Sequence, residues 1–310
     1  VGAAGGYGLA AAVSVVSDDS DTYAYINGAT VDVSGGTAVN AISARSIDGE
    51  ALGVAFGLTG AAGVSYTESS IGGVTKAALG ADASGETTDR GVTIGSSGDR
   101  SGAVSLGALS NDWVKANTTA AGGGIGFAVQ GAVALGDVTT TVSTEMKDAA
   151  IYATGAISSD AAAVNSATTD AGGASLSGGL AAGVPLAHST LRATVKNDVH
   201  GNSVLDGGSV SIDSSIAGGT ADADAIAVAG ALVGLAGSDA KSKNLSSAVT
   251  DVRDSGITAT GAVNITANSN TKQSSDATGY VFGIAALGSN DAKSTSDTTT
   301  RAIVTDMTGI

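Results

Sequence analysis

One interval recurs along this chain and constrains its fold more than any other feature. The phrase Gly-Ala-Val-Asn-Ile at residues 261–265 has counterparts upstream, in which Gly and a small residue again precede a β-branched residue. The β-branched residues of these phrases recur at a constant interval of 53: Val104, Ile157, Val210 and Val263. A fixed period of about 20 to 50 residues is typical of solenoids, in which each repeat buries its apolar face only against its neighbours. The sequence therefore predicts stacked repeats.

A second series of apolar residues keeps the same interval, six residues earlier: Ile151, Val204, Ile257 and Ile310. The earliest phrase, at Val39, precedes Val104 by a longer interval of 65. We interpret that distance as one repeat lengthened by about 12 residues, because an array tolerates insertions in its loops. The polar run at residues 85–90 is the expected place for this insertion.

The whole chain, residues 1–310, is expected to form a single continuous repeat array. Residues 1–30 read as a partial repeat, because their Gly/Ala block and acidic turn precede the first anchor in the order that later units follow. The repeats are anchored near these residues: Val39, Val104, Ile157, Val210 and Val263. The chain opens inside an apolar block and closes on a repeat position, so we expect it to be truncated at both ends.

Composition narrows what such repeats can bury. The chain has 47 Gly, one Pro and only 3% aromatic residues, whereas globular cores are normally filled by Leu, Ile, Phe and Met. The interior is therefore expected to be narrow and packed with small side chains. The regular interval and the 43% hydrophobic content argue against a disordered Gly- and Ser-rich chain.

Blocks of alternating bulky and tiny residues predict strands. They are clearest at residues 53–58, 124–129 and 279–284, and an alternation of period two belongs to strands. Bulky side chains should point one way and Gly and Ala the other, where Gly marks close backbone approach. We expect both faces of these strands to be covered, one by the core and one by a close layer. The fold class is therefore all-β.

The length of the interval requires several strands per repeat. At about 3.3 Å per residue, one extended interval would run far past a single strand. We predict a β-solenoid (β-helix), with two or three coils per repeat as the simplest packing. Long antiparallel strands are the alternative, since nothing in the sequence sets strand direction. Gly and Asp after the apolar blocks, as at residues 136–137 and 237–239, predict tight corners.

Charge and composition limit the partners. With 14 Lys and Arg against 29 Asp and Glu, the net charge is −15, which repels polyanions, so no nucleic acid is expected to bind. The absence of Cys excludes disulfides and thiolate metal sites. Gly and polar residues interrupt every apolar stretch before about 18 residues, so no membrane span is expected.

Two acidic groups are candidate sites. The cluster at residues 17–21 could hold a hard cation through carboxylate oxygens, but it lacks the Gly-rich nonapeptide of calcium-loaded β-rolls, and a solvated turn explains it better. Asp222 and Asp224, with Asp213 nearby, suggest the paired acids of a polysaccharide-cleaving β-helix. That stretch has neither the aromatic residues that stack on sugars nor a basic residue.

The two histidines, His188 and His200, lie in one repeat, and Asp198 is close to the second. A triad would recruit Ser189 or Ser203, but no nucleophile motif accompanies them. Both histidines are interpreted as corner residues.

Trp113, the only tryptophan, is interpreted as a packing anchor rather than a binding hot spot. The threonine runs at residues 139–141 and 298–300 fit ordinary strands rather than an ice-binding face. No residue is therefore predicted to be catalytic, to bind a cofactor or to ligate a metal, and we expect no enzyme.

The order of the repeat elements resembles that of known surface proteins. Each unit runs through Gly-Ala-Val-x-Ile, a polar Ala-rich stretch, the alternating Gly/Ala block, a Gly-Ser-Asp turn and a Thr-rich return. This cycle resembles the repeats of very large bacterial adhesins, the filamentous-haemagglutinin-like and leukotoxin-like proteins, across essentially all 310 residues. The resemblance implies an extracellular β-solenoid fibre at the bacterial surface that is secreted as an extended chain. It carries over no residue roles.

Three functions are weighed. The first is a structural segment of a secreted fibre or adhesin stalk that serves adhesion, biofilm matrix or filament formation. Its partners would be neighbouring repeats, copies of itself end to end, or glycans and proteins of a cell surface. The second is a carbohydrate-binding or carbohydrate-cleaving β-helix, which requires acids or aromatics in register; at the common interval the acids mostly are not. The third is an adhesin that calcium, the one cofactor considered, stiffens.

Overall fold

The computed structural model describes residues 1–85 and 88–308. Ile310, the last member of the second apolar series, lies outside the described residues. Within them the regular structure is strand, with no helix. The first eleven strands are β1 (Gly2–Ala4), β2 (Tyr7–Asp18), β3 (Thr22–Ile26), β4 (Ala29–Val31), β5 (Thr37–Gly57), β6 (Gly60–Ile71), β7 (Val74–Leu79), β8 (Val92–Ile94), β9 (Val104–Gly124), β10 (Phe127–Lys147) and β11 (Ala149–Tyr152). The others are β12 (Ala156–Ala163), β13 (Ser166–Ser177), β14 (Leu180–His200), β15 (Val204–Gly207), β16 (Ser209–Gly230), β17 (Val233–Asn244), β18 (Ser247–Arg253), β19 (Gly256–Ala259), β20 (Val263–Phe282), β21 (Ala285–Ser296) and β22 (Thr299–Thr305).

The strands form three parallel sheets. Sheet 1 contains β1, β5, β9, β12, β13, β16 and β20, and sheet 3 contains β4, β8, β11, β15 and β19; sheet 2 contains the ten others. Within the described parts of the chain, every pairing between these strands is parallel. The alternative of long antiparallel strands is therefore wrong about strand direction, although several strands are as long as it predicted.

The chain passes through the three sheets in a circuit. It runs along β9 in sheet 1, reverses at residues 125–126, returns along β10 in sheet 2 and closes through the short β11 in sheet 3. Phe127 pairs with Leu180, and Leu180 pairs with Val233, so one circuit corresponds to one interval of 53. The expectation of two or three coils per interval is wrong, because two strands of 21 residues use most of it.

The apolar anchors align in part. Val104, Ile157, Val210 and Val263 lie side by side in sheet 1. In the second series Ile151 and Ile257 both pair with Leu205 rather than with Val204. Counted between paired residues, the segment before β15 is one residue longer than the segment before β11. Two successive residues with positive φ, Gly201 and Asn202, lie at that corner.

The early circuit is lengthened at two places. Ile26 pairs with Leu79 at an interval of 53, Ala29 with Val92 at 63, and Thr37 with Val104 at 67. Ten extra residues therefore lie within residues 80–91 and four within residues 95–103. The run at residues 85–90 falls in the first insertion, with residues 86 and 87 outside the described part. The second insertion was missed, and Val39 consequently pairs with Leu106 rather than with Val104.

The core tapers from one end of the circuit to the other. At the base, where sheet 3 closes the circuit, it contains large side chains that are fully buried: Leu79, Ile94, Met146, Ile151 and Leu205. Toward the end where the chain reverses, the inward side chains shrink to alanines: Ala120, Ala132, Ala171, Ala181 and Ala227. A Cβ added to Gly53 would lie 2.4 Å from the carbonyl oxygen of Val64. The close approach predicted from glycine is confirmed.

The bulky residues of the alternating blocks point outward. Phe56 and Phe282 are 54% and 63% exposed, while Ala55 between the sheets is fully buried. The expectation that both faces are covered is wrong, because the gap between sheets 1 and 2 admits only small side chains there.

The tight corners lie elsewhere than predicted. Residues 136–137 and 237–239 are inside β10 and β17. The chain instead turns from sheet 2 to sheet 3 at a residue with positive φ, which is Asp148, Asn202 or Asp254 in successive circuits. Asp and Asn tolerate this left-handed conformation better than most residues with a side chain.

Candidate interaction surface

The chain reverses between sheets 1 and 2 in segments that lack charge. Six circuits contain such a segment without Asp, Glu, Lys, Arg or His: residues 1–17, 51–67, 116–136, 171–187, 225–238 and 277–290. Parallel pairing stacks these segments into one continuous strip. We call this strip the apolar edge.

Large apolar side chains are exposed all around the apolar edge. On sheet 1 they are Leu52, Phe56, Leu176, Ile226, Tyr280 and Phe282. On sheet 2 they are Val64, Val129, Val184, Leu235 and Leu287. At the turns they are Leu58, Ile125, Leu232 and Ile284. Contiguous exposed apolar surface of this kind marks an interaction site in soluble proteins.

The backbone of the apolar edge is hydrogen bonded even where the chain turns. The amide of Ile125 donates to the carbonyl of Leu58 in the preceding circuit at 3.1 Å, and the amide of Leu180 donates to that of Gly126 at 3.1 Å. The amide of Val233 likewise donates to the carbonyl of Gly179 at 2.9 Å. These turns therefore present side chains to the exterior rather than unpaired amides.

An acidic row borders the apolar edge on sheet 1. Its members pair in sequence across the circuits: Glu50, Asn117, Asp170, Asp224 and Asp276. Burial raises the pKa of Asp224, and the negative charges of Asp222, Asp170 and Asp276 raise it further. Burial also raises the pKa of Asp170. The row therefore holds carboxyl groups that resist ionisation.

Sequence analysis missed this row because the spacing is irregular. The interval from Asp170 to Asp224 is 54, and the interval from Asp224 to Asp276 is 52. An irregularity in the pairing of β16 with β20, between Ala217 and Gly219, restores the register. The signal that could have located the row is the carboxylate that precedes most of the uncharged segments.

A network of paired charges covers sheet 2 near the base. Arg253 Nη1 lies 2.7 Å from Asp198 Oδ1, and Lys196 Nζ lies 2.6 Å from Asp198 Oδ2. Burial acts to raise the pKa of Asp198, but the hydrogen bonds from Lys196 and Arg253 outweigh it and hold this pKa below its ordinary value. Glu145 is paired in the same way, with Lys76 Nζ at 2.7 Å and His200 Nε2 at 2.9 Å.

The histidines do not form a triad. His200 ends β14 beside a corner, as predicted, but His188 lies inside that strand and not at a corner. Ser203 Oγ donates to the backbone carbonyl of His200 at 2.7 Å. Burial lowers the pKa of His188, outweighing the attraction of Asp239, whose carboxylate is 3.5 Å away.

The other residues singled out in the sequence are dispersed. Asp222 and Asp224 share the outward face of β16, whereas Asp213 lies far along the same strand and accepts a hydrogen bond from Thr266. Trp113 is 41% exposed on the outward face of β9, so the expected packing role is wrong. The threonines at residues 139–141 lie within β10, as expected of strand formers.

The acidic cluster at residues 17–21 covers the end of β2 and the short irregular segment before β3. Asp18 Oδ1 accepts hydrogen bonds from the backbone amide and the hydroxyl of Ser20, at 2.9 and 2.6 Å, which lower the pKa of Asp18. Asp21 Oδ1 accepts from the amide of Val74 at 2.7 Å. Throughout the described residues, no group of three or more His, Asp or Glu side chains is arranged to hold a metal ion.

Comparisons with family models, curated proteins and solved structures gave no match to this chain. Over the described ranges, the structure contains no helix of the length and apolarity needed to cross a membrane.

Proposed function

We propose that this chain is a structural segment of an extracellular bacterial fibre or adhesin stalk, built as a β-solenoid with one circuit per repeat of about 53 residues. The observation that carries the proposal is the parallel stacking of β2, β6, β10, β14, β17 and β21 side by side in sheet 2. Such a stack pairs backbone groups continuously along one axis, which yields a stiff rod.

Side chains tie the circuits together along that axis. Arg45 Nη2 lies 2.9 Å from Asp112 Oδ2 in the next circuit. Arg100 Nη2 lies 2.6 Å from Asp206 Oδ2, and its guanidinium also donates to the carbonyl of Ala153 in the circuit between them, at 3.3 Å. Ion pairs that bridge circuits resist separation of the stack, which suits a load-bearing stalk.

The end circuits offer surfaces for assembly. Within the described residues β2 pairs only with β6 and β21 only with β17, so each has one edge of backbone donors and acceptors that a further circuit or a further copy could pair with. Open edges of this kind recruit further strands. Copies of this chain, or neighbouring repeats, are therefore the proposed partners, and surface glycans or proteins are the proposed targets of adhesion. The net charge of −15 favours solubility and disfavours nucleic acid.

A carbohydrate-binding or carbohydrate-cleaving β-helix is the second candidate. The acidic row is the one observation in its favour, since it aligns carboxylates of successive circuits. The row itself contains no aromatic residue on which a sugar ring could stack, so we rank this function below the structural one. We assign no catalytic residue and propose no enzyme activity.

Electron microscopy of the purified protein tests the proposed function. We expect rods of uniform width whose length increases with protein concentration. Chelation of calcium should leave them unchanged if calcium has no role in stiffness. Compact particles that never associate would overturn the fibre proposal.

A variant at the open edge links rod length to strand pairing. The amide of Thr299 donates to the carbonyl of Ser246 at 3.1 Å. Because successive amides of a strand point to opposite neighbours, the amide of Thr300 faces the open edge. Thr300→Pro removes that donor and should shorten the rods, whereas Thr300→Val keeps the amide and should not.

A further inference from the structure

We propose that the apolar edge inserts into one leaflet of a lipid layer, with the turns between sheets 1 and 2 inserted deepest. The stack then lies along the membrane surface, and the carboxyl groups that border the edge lie at the level of the head groups. This binding activity is separate from the proposed function as a fibre segment. It rests on the depth, shape and backbone pairing of the edge.

In the last two circuits the depth of the uncharged strip matches one leaflet. On sheet 1 Gly230, the last residue of β16, lies six positions after Asp224, and on sheet 2 Asp239 lies six positions after Val233, the first residue of β17. The next circuit repeats these distances from Asp276 to Phe282 and from Ala285 to Asp291. Six positions span about 20 Å of strand, and half of a bilayer with its head groups measures about 20 to 22 Å. In these two circuits the charges on both sheets thus stop at the same depth, whereas the uncharged segments of the earlier circuits are longer, at 17 to 21 residues.

The shape of the edge favours a fluid partner. Ile226 on sheet 1 and Leu235 on sheet 2 are 49% and 36% exposed on opposite faces, and Ile125 at a turn is 68% exposed. A second copy or another folded protein that packs on one face leaves the other face in water. Hydrocarbon chains surround both faces and the turns at once, which removes all of this apolar surface from water.

In the circuits between the two ends of the stack, the backbone at the turns of the edge is hydrogen bonded, as hydrocarbon requires. A lipid environment tolerates only backbone groups that are hydrogen bonded within the protein. The turn amides of Ile125, Leu180 and Val233 meet that requirement through the preceding circuits. The hydroxyls of Ser65 and Ser175 lie between the sheets, where they do not face the exterior.

The charges around the edge select the type of lipid. The first charged residues beyond it on sheet 2 include Glu68, Asp137, Asp239 and Asp291, and the chain as a whole carries −15. Anionic head groups would repel these carboxylates. We therefore expect zwitterionic lipid to be bound in preference to anionic lipid.

Flotation with vesicles of phosphatidylcholine tests the proposal. The double variant Ile125→Lys/Leu232→Lys places two cations at exposed turns and should reduce partitioning at least about tenfold, because charge is disfavoured at that depth. The control is Ile42→Lys, at a 63% exposed position on sheet 1 well outside the edge, which should change partitioning less than about twofold. No binding by the unaltered chain, or equal loss in both variants, would overturn the proposal.

Two further readouts separate the possible outcomes. The variant Trp113→Phe/Leu232→Trp carries its single tryptophan at a turn of the edge, and its fluorescence should be quenched by lipids that carry bromine on their acyl chains. The fluorescence of Trp113 in the unaltered chain should not be quenched. Sedimentation without lipid tests whether a second copy of the chain covers the edge instead. A dimer that the double lysine variant abolishes would assign the edge to self-association and overturn lipid binding. Rods in electron microscopy without vesicle binding would leave the fibre proposal standing and reject this one.

Discussion

The base and the apolar edge are made from the two ends of the same strands, yet they use side chains in opposite ways. At the base, Met146 and Leu205 fill the space between three sheets and polar residues face outward. At the edge, Ala120 and Ala227 face inward and residues such as Phe56 face outward. The separation of the sheets, rather than hydrophobicity alone, therefore decides which residues are buried.

The two regions also gain stability from different sources. Burial of large side chains contributes about 25 cal/mol per Å² of apolar surface at the base. The edge has little side-chain volume to bury and is held by backbone pairing and close contact between the sheets. Substitutions should therefore have different effects in the two regions.

The largest effect is expected from truncation at the base. Leu205→Ala should lower the free energy of unfolding by about 2 to 5 kcal/mol, because it leaves a cavity among fully buried side chains. Denaturant unfolding measures the change. Leu232→Ala, at an exposed turn of the apolar edge, is the control and should change the free energy by less than about 0.5 kcal/mol. Equal losses would contradict the difference between the two regions.

Enlarging an inward residue of the edge should be nearly as harmful. Gly53→Ala places a Cβ 2.4 Å from the carbonyl oxygen of Val64, so overpacking should cost about 1 to 3 kcal/mol in thermal or denaturant unfolding. Gly131→Ala is the matched control, since no atom lies within 4 Å of its added Cβ. If Gly53→Ala were neutral, the sheets would be farther apart than described.

Loss of a paired carboxylate on sheet 2 should destabilise the protein at neutral pH. Asp198→Asn leaves Arg253 and Lys196 without their shared partner and should cost about 1 to 3 kcal/mol. Because the folded state lowers the pKa of Asp198, its contribution is present above the ordinary pKa and disappears as pH falls through the folded value. Unfolding of both proteins between neutral and strongly acidic pH should therefore show the difference vanish in acid. A difference that persists there would contradict the ionic explanation.

The smallest effect, of opposite sign, is expected in the acidic row. Asp224→Asn removes repulsion between neighbouring carboxylates and should stabilise the protein by about 0.5 kcal/mol at neutral pH. The folded state raises the pKa of Asp224, so the natural residue costs stability above that pKa, and protonation relieves the cost as pH falls. The gain should therefore fade in acid. Destabilisation at neutral pH would instead indicate that Asp224 has an attractive partner.

Sequence periodicity predicted the parts of this fold that depend on spacing. The anchors from Val104 to Val263 align because no residue is gained or lost between them at that end of sheet 1. The acidic row and the pairing of Leu205 were missed, since single-residue irregularities near Gly218 and Asn202 shift the register locally. The apolar edge was missed for another reason: alternation identifies two faces of a strand but does not say which face is inside.

The claim that one circuit occupies one sequence interval can be tested with disulfides, because the natural chain has no Cys. Ser158 and Ser211 pair directly in sheet 1, whereas Ser158 and Asn264 are two circuits apart. A disulfide requires Cα atoms about 4.4 to 6.8 Å apart, and adjacent strands meet this condition while strands two circuits apart, at about 10 Å, do not. Oxidation of Ser158→Cys/Ser211→Cys should therefore form an intramolecular disulfide, and Ser158→Cys/Asn264→Cys should not. Failure of the first pair to cross-link in the folded protein would contradict the single circuit per interval on which the proposed fibre depends.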